Sequence, residues 1–176
     1  MYNISFSHFS GADSFGYDKV YSLKDTGVFS TDSVRIASGN CREKSIIWLT
    51  SYDASMEFIM KAKEKKAVVF IDQLDVIRPN GYLRAAMIRR ISQFLSLCIK
   101  YNVPYILSFA ARNEMEMRPP KEGIAVACLL GLTVPQAVRG FELAGELMEK
   151  KTDNSNIANS NAVNSNVANS NTVDIE

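Results

Sequence analysis

The chain has 176 residues, of which 47% are hydrophobic, and carries a formal net charge of +1 at pH 7. That length and apolar content suit one domain with its own core. No run of about 18 apolar residues occurs, so no membrane span is predicted. The first 16 residues lack the basic start and apolar stretch of a secretory signal, and the three cysteines lack disulfide or metal-ligand spacing. We therefore predict a cytoplasmic location.

The predicted elements alternate between strands and helices along the chain. The predicted strands cover residues 2–6, 45–50, 67–72 and 105–110. The predicted helices cover residues 14–24, 53–66, 82–101, 121–132 and 134–151. Residues 67–72 form a continuous β-branched and aromatic run, which is typical of a parallel strand covered on both faces. The alternation predicts a parallel α/β fold.

The C-terminal tail differs in composition from the rest of the chain. Residues 154–173 consist of four pentapeptides that each begin Asn-Ser-Asn, and they contain no aromatic residue. Such a segment has little to bury and cannot offset the entropy lost when its backbone is ordered. One coil of a β-helix is the alternative, although a single coil has no neighbour to stack on. We predict a domain over residues 1–151 and a disordered tail over residues 152–176.

The charge is distributed unevenly. Residues 1–151 hold 20 basic and 16 acidic residues, and the stretch 76–121 alone holds eight basic and two acidic residues, a net charge of +6. A charge run is often only a solvated face. An Arg-rich stretch is also the usual sign of phosphate recognition.

A loop within that stretch, residues 111–121, is the most informative segment. It follows a predicted strand and precedes a predicted helix, which places it at the functional edge of an α/β fold. It carries Arg112, Arg118 and Lys121. The planar arginine fork matches phosphate oxygens well, and the helix that starts after Pro120 offers backbone amides. These side chains are candidates to bind an RNA backbone, with Arg89 and Arg90 of the preceding helix as weaker candidates.

A structural interpretation of the same loop stays open. Glu114 and Glu116 can pair with the loop arginines at the surface. In particular, Arg118 can pair with Glu116 or Glu122 and hold the loop.

Catalytic residues are not evident in the sequence. The chain has one histidine, His8, whereas a metallohydrolase needs several converging ligands. The glycine-rich loops that bind nucleotides are also missing. Asp72 and Asp75 lie at the end of a predicted strand, where barrel enzymes place catalytic groups. The alternative is that Asp72 caps a loop or balances Arg78.

Four segments together resemble a known family. They are Val-Val-Phe-Ile-Asp at 68–72, Lys-Tyr-Asn-Val-Pro at 100–104, Ala-Arg-Asn-Glu-Met-Glu-Met-Arg-Pro-Pro at 111–120 and Ala-Cys-Leu-Leu-Gly-Leu at 127–132. In this order and spacing they resemble archaeal ribonuclease P protein component 3, and the similarity covers residues 67–142. The sequence departs from the family at Phe109-Ala110-Ala111, where Ser-Gly-Ala is frequent. The N-terminal third matches poorly, and the tail matches nothing.

The resemblance implies a TIM-barrel-like fold, related to polymerase-and-histidinol-phosphatase proteins but without their metal site. Since full barrels usually need about 200 residues or more, we expect a shortened or incomplete barrel. The implied partners are the ribonuclease P RNA, protein component 2, the other protein components and precursor tRNA. The RNA would perform metal-assisted hydrolysis, so magnesium would belong to the RNA and this chain would bind no cofactor.

Two other functions compete with this interpretation. A stand-alone TIM-barrel phosphoesterase that acts on a small phosphorylated substrate predicts converging acidic and histidine ligands. A protein-only interaction module predicts a long exposed apolar stripe without the arginine bias.

Overall fold

The computed structural model describes residues 1–5 and 15–149. The predictions for His8 and for the tail over residues 152–176 lie outside these ranges. The chain divides into two compact units, residues 1–145 and residues 146–176. Of the second unit only residues 146–149 are described, and they are helical.

Six described strands form two parallel sheets. The strands are β1 (Tyr2–Ser5), β2 (Lys19–Ser22), β3 (Val28–Thr31), β4 (Ile46–Leu49), β5 (Val68–Asp72) and β6 (Tyr105–Ser108). One sheet pairs β1 with β2, and the other has the order β3-β4-β5-β6. Every pairing is parallel, so the predicted parallel α/β class is confirmed.

Helices connect the strands. They are α1 (Leu23–Thr26), α2 (Val34–Gly39), α3 (Met56–Glu64), α4 (Leu74–Ile77), α5 (Gly81–Tyr101) and α6 (Pro120–Leu129), followed by α7 over residues 134–149. A single 3₁₀ turn, Glu114–Glu116, lies in the loop between β6 and α6. Asn102 caps the C-terminus of the long helix α5 in the left-handed conformation, with a positive φ of 56°.

The core lies around β4 and β5. Every residue of both strands is buried, as the continuous apolar runs predict for strands covered on both faces. Trp48 of β4 and Phe70 of β5 pack with ring centroids 5.3 Å apart. Behind them Phe58 of α3 stacks on Phe94 of α5 at 6.0 Å. The buried faces of α3 and α5 therefore complete the core on one side of the sheet.

In the N-terminal third the strand predicted at residues 2–6 is observed as β1 (Tyr2–Ser5), but other segments differ from their predictions. The helix predicted over residues 14–24 is wrong, because Lys19–Ser22 is a strand that pairs with β1 in parallel. The short helix α2 lies in a segment for which the sequence predicts no element. These elements have four to six residues, which is too short for a periodic pattern to show which structure they adopt.

Side chains join the two sheets where β1 lies beside β6. Ser108 Oγ accepts the Ile4 amide at 2.6 Å, and Asn3 Oδ1 accepts the Phe109 amide at 2.9 Å. All four residues are buried. Polar side chains thus take the place of a regular backbone ladder at this junction, since an unpaired buried amide is costly.

Candidate functional site

The basic loop of residues 111–119 lies at the carboxyl edge of the larger sheet. It follows β6, while α4 and the start of α5 follow the neighbouring strand β5. The last residues of the two strands, Asp72 and Ser108, are direct partners in the parallel register. Because parallel strands end at the same edge, the loop and the start of α5 lie side by side.

Arg78 links these two segments. Its Nε and Nη2 donate to the Glu116 carboxylate at 3.0 and 2.9 Å, and Nη2 also donates to the Ala110 carbonyl at 3.2 Å. The Glu116 carboxylate accepts the Arg112 amide at 2.8 Å as well. The hydrogen bond from Arg78 lowers the pKa of Glu116. Glu116 therefore pairs with an arginine outside the loop, which local sequence reasoning missed, since 38 residues separate the partners.

Asp72 is buried beneath this ion pair. Its Oδ1 accepts the amides of Leu74 and Ala110, both at 3.0 Å, and its Oδ2 lies 3.3 Å from Arg78 Nη1. Burial, followed by the neighbouring Asp75 carboxyl, raises the pKa of Asp72 to about 7. The contacts match the structural interpretation, in which Asp72 caps a loop and balances Arg78.

Asp75 belongs to a second buried network. The Tyr52 hydroxyl donates to Asp75 Oδ2 at 2.7 Å and accepts the indole N–H of Trp48 at 3.2 Å. It also accepts the Asp72 amide at 3.1 Å. Burial raises the pKa of Asp75, while the Tyr52 hydrogen bond and the charges of Arg78 and Arg112 oppose the rise. The ends of β4 and β5 are therefore fixed to each other below the basic loop.

The predicted loop residues differ in their exposure and contacts. Arg112 and Lys121 are exposed. Arg118 donates from Nη1 to the carbonyls of Met115 and Met117, each at 3.2 Å, and its Nε lies 3.7 Å from Glu122 Oε2. Of the two acids predicted as alternative partners of Arg118, the structure pairs it with Glu122. Arg118 thus helps to shape the loop, yet its side chain remains 37% exposed.

Two neighbouring methionines show the orientation of the loop. Met115 is 84% exposed, whereas Met117 is 2% exposed and receives a contact from Asn3 Nδ2 at 3.6 Å. The loop is therefore anchored on its inner side and presents its tip to solvent.

The start of α6 offers an anion fewer free backbone amides than the sequence predicts. The amides of Glu122 and Gly123 both donate to the Pro119 carbonyl, at 3.0 and 3.3 Å. Glu122 also places an acid in the first turn. The cationic side chains, rather than this helix start, are the main anion-attracting groups of the loop.

Arg89 and Arg90 project from the exposed face of α5. They line a groove of about 480 Å³ together with Tyr82, Ala85, Ala86 and Gln93. An adjoining cavity of about 360 Å³ shares Arg90 and Gln93 and reaches residues 51–54 after β4. Tyr82 and Gln93 were not included in the site predicted from the sequence. The polar face of α5, which begins with an aromatic residue, could have indicated them.

The structure also bears on the competing functions. Across residues 1–5 and 15–149, no group of three or more His, Cys, Asp or Glu side chains is arranged to hold a metal ion. In the same ranges no helix has the length and apolar character needed to cross a membrane.

Comparisons with known proteins agree with the resemblance seen in the sequence. Ribonuclease P protein component 3 of Methanococcoides burtonii is 28% identical over 96 residues, which cover 54% of this chain and 40% of that protein. The protein of the same name from Archaeoglobus fulgidus is 29% identical over 76 residues, covering 43% of this chain and 38% of that protein. The matches thus span about two fifths of the length of these relatives. No protein-family profile matches the sequence.

A solved structure has a similar fold. A chain in the cryo-EM structure of archaeal ribonuclease P with mature tRNA superposes with a TM-score of 0.64 at 17% identity. The superposition covers 85% of this chain and 79% of the other. At this identity the likeness establishes a shared fold.

Proposed function

We propose that this chain, a relative of archaeal ribonuclease P protein component 3, is a protein subunit of ribonuclease P. In this role it binds the catalytic RNA and supports endonucleolytic removal of the 5′ leader from precursor tRNA. The observation that carries the proposal is the basic loop of residues 111–119, which Arg78 and Glu116 hold at the carboxyl edge of the sheet and which leads to Lys121 in α6. The two relatives and the fold neighbour support it.

Five cations are the proposed RNA contacts. Arg112, Arg118 and Lys121 form the main set, and Arg89 and Arg90 form a weaker one. Guanidinium groups on a loop with a fixed shape suit phosphate oxygens, because less conformational entropy is lost on binding.

The remaining parts of the proposal concern the assembly. The partners are protein component 2 and the other protein components, together with the RNA and precursor tRNA. Magnesium acts at the RNA active site, and this chain alone is predicted to be non-catalytic and cytoplasmic. The two parallel sheets are the basis for proposing a shortened TIM-barrel-like fold of the polymerase-and-histidinol-phosphatase type.

The direct test measures RNA binding and reconstituted cleavage. Replacing Arg112, Arg118 and Lys121 together with alanine should weaken binding to ribonuclease P RNA and lower cleavage of precursor tRNA by the assembled enzyme. Arg118→Ala alone should cost roughly 1–3 kcal/mol. Each lost phosphate contact should also flatten the dependence of log affinity on log salt by roughly 0.7 to 0.9.

A matched control removes the same charge elsewhere. Lys24, Lys61 and Lys63 are exposed residues on other helices, and their triple alanine variant should bind RNA nearly as the parent does. If the loop variant keeps full affinity and full assembled activity, the proposed site is wrong. Cleavage of precursor tRNA by the nuclease-treated protein alone would contradict the subunit role. Hydrolysis of a small phosphorylated substrate would instead support the phosphoesterase alternative.

A further inference from the structure

We infer that the groove along α5 holds an unpaired nucleotide, with its base stacked on Tyr82 and its flanking phosphates bound by Arg89 and Arg90. The inference rests on the proposed function in taking the ligand to be RNA. It adds the form of the RNA, which is a single strand rather than a duplex.

Tyr82 is the first observation. Its exposed fraction is 85%, whereas Phe29, the other aromatic among the exposed large apolar side chains, is 36% exposed. Exposing an aromatic ring forgoes the burial that usually stabilises such a side chain. On a nucleic-acid surface, the same ring provides a platform on which any base can stack.

The charge of α5 is the second observation. Its 21 residues include no Asp or Glu. Arg84 folds back and donates to the carbonyls of Ile77 and Pro79, so it has a local structural role. The side chains of Arg89 and Arg90, in contrast, make no hydrogen bond or ion pair with any residue that the structure describes. Two unpaired guanidinium groups on one helix repel each other, and a bound phosphate would offset that repulsion.

The geometry of the helix brings these groups together. Tyr82, Ala86, Arg89 and Gln93 follow the spacing i, i+4, i+7, i+11, which places them on one stripe. Tyr82 and Arg89 are separated by about 10 Å along the axis, at 1.5 Å per residue. The small side chains of Ala85 and Ala86 leave the groove open between them. The aromatic ring and the cations therefore lie at the two ends of one groove.

The adjoining cavity favours an unpaired base. Gln93 and Arg90 line both cavities, and the second cavity adds Asp53 and Ser51. The Ser51 hydroxyl is buried and has no hydrogen-bond partner among the described residues. Amide, carboxylate and hydroxyl groups match the edges of a base, and those edges are available only where the base is not paired.

The test compares single-stranded and duplex RNA. The probes are a short oligoadenylate, a blunt-ended duplex of equal strand length, and ribonuclease P RNA, each titrated with the full chain at several salt concentrations. Tyr82→Ala should weaken oligoadenylate binding on the order of tenfold without changing the salt slope, because stacking releases no counterions. Tyr82→Phe should retain the affinity. The double variant Arg89→Ala and Arg90→Ala should flatten the slope by about 1.4, at 0.7 per phosphate of a single strand.

Leu83→Ala is the matched control, because Leu83 is 65% exposed on the same helix and does not line the groove. Its binding should equal that of the parent. The inference is overturned if Tyr82→Ala behaves like Leu83→Ala, if the blunt-ended duplex binds as tightly as the oligoadenylate, or if Tyr82→Ala impairs only the association with a protein partner. In those cases, binding of ribonuclease P RNA that still depends on the loop cations would leave the proposed function intact.

Discussion

Asp72 shows how burial and hydrogen bonding compete at one carboxyl group. Two backbone amides and Arg78 favour its ionised form, while burial and the adjacent Asp75 disfavour it. The result is a pKa of about 7 in the folded protein, against about 3.9 for an unperturbed Asp. Between those two values the folded state binds more protons than the unfolded state. The contribution of Asp72 to the free energy of unfolding is therefore fully present below about pH 4 and is lost as the pH rises to about 7.

Asp72→Asn tests this directly. The amide oxygen can still accept the two backbone amides, but the group no longer titrates. The difference in unfolding free energy between parent and variant should shift in favour of the variant as the pH rises from about 4 to 7. Chemical denaturation at a series of pH values measures this difference in unfolding free energy. The control is Asp32→Asn, at an exposed position. A difference that stays constant with pH would mean that Asp72 remains ionised throughout.

At the residue scale the sequence predicted exposed cations better than it predicted their partners. The Arg-rich loop was evident, and Arg112 and Lys121 are exposed as expected. The pairing of Arg78 with Glu116 depends on two strands lying side by side, and a linear pattern does not contain that information. The exposure of Tyr82 was not predicted, because helical periodicity does not show whether the first turn of a helix packs on the core or lies in solvent.

At the scale of elements, α6 packs closely against the end of β5 and against α7. The Gln73 side chain donates to the Gly123 carbonyl at 2.9 Å. A Cβ at Gly123 would lie 2.5 Å from Phe141 Cζ and 3.0 Å from Gln73 Oε1. Glycine is required here by close approach of neighbouring side chains.

Gly123→Ala should therefore destabilise the protein by roughly 1–3 kcal/mol through overpacking. Thermal unfolding measures the effect, and it should appear as a melting temperature lower by several degrees. Gly39→Ala is the control, since nothing lies within 4 Å of its added Cβ, and it should be neutral or slightly stabilising. Equal melting of the two variants would contradict the close packing of α6.

The elements that sequence patterns identify most clearly are the long or continuously apolar ones. β4 and β5 are runs of buried side chains, and α5 is 21 residues long with a buried stripe. β2 and β3 have four residues each and are only partly buried, so neither alternation nor composition distinguished them. Their structure is set by the strands they pair with.

At the scale of the whole sheet system, one side-chain junction joins β1 to β6. Ser108→Ala would leave the buried Ile4 amide without its acceptor, which costs roughly 1–3 kcal/mol. The melting temperature of Ser108→Ala should be lower than that of the parent by the corresponding amount. Ser30→Ala, at an exposed position on β3, should leave it nearly unchanged. If Ser108→Ala melts at the same temperature as the parent, the hydrogen bond between Ser108 and the Ile4 amide does not stabilise the junction.

The two methionines of the basic loop differ in exposure, so their oxidation can be used to measure how far the loop is covered. A thioether in solvent is oxidised by peroxide faster than a buried one, so Met115 should acquire oxygen before Met117. Both lie between Arg112 and Lys121, and the bond after Arg118 precedes proline, which trypsin does not cut. One tryptic peptide therefore carries both sulfur atoms. Mass spectrometry of that peptide compares the oxidation of exposed Met115 with that of buried Met117, which serves as the internal reference. Oxidation of Met115 should slow when a bound partner covers the loop.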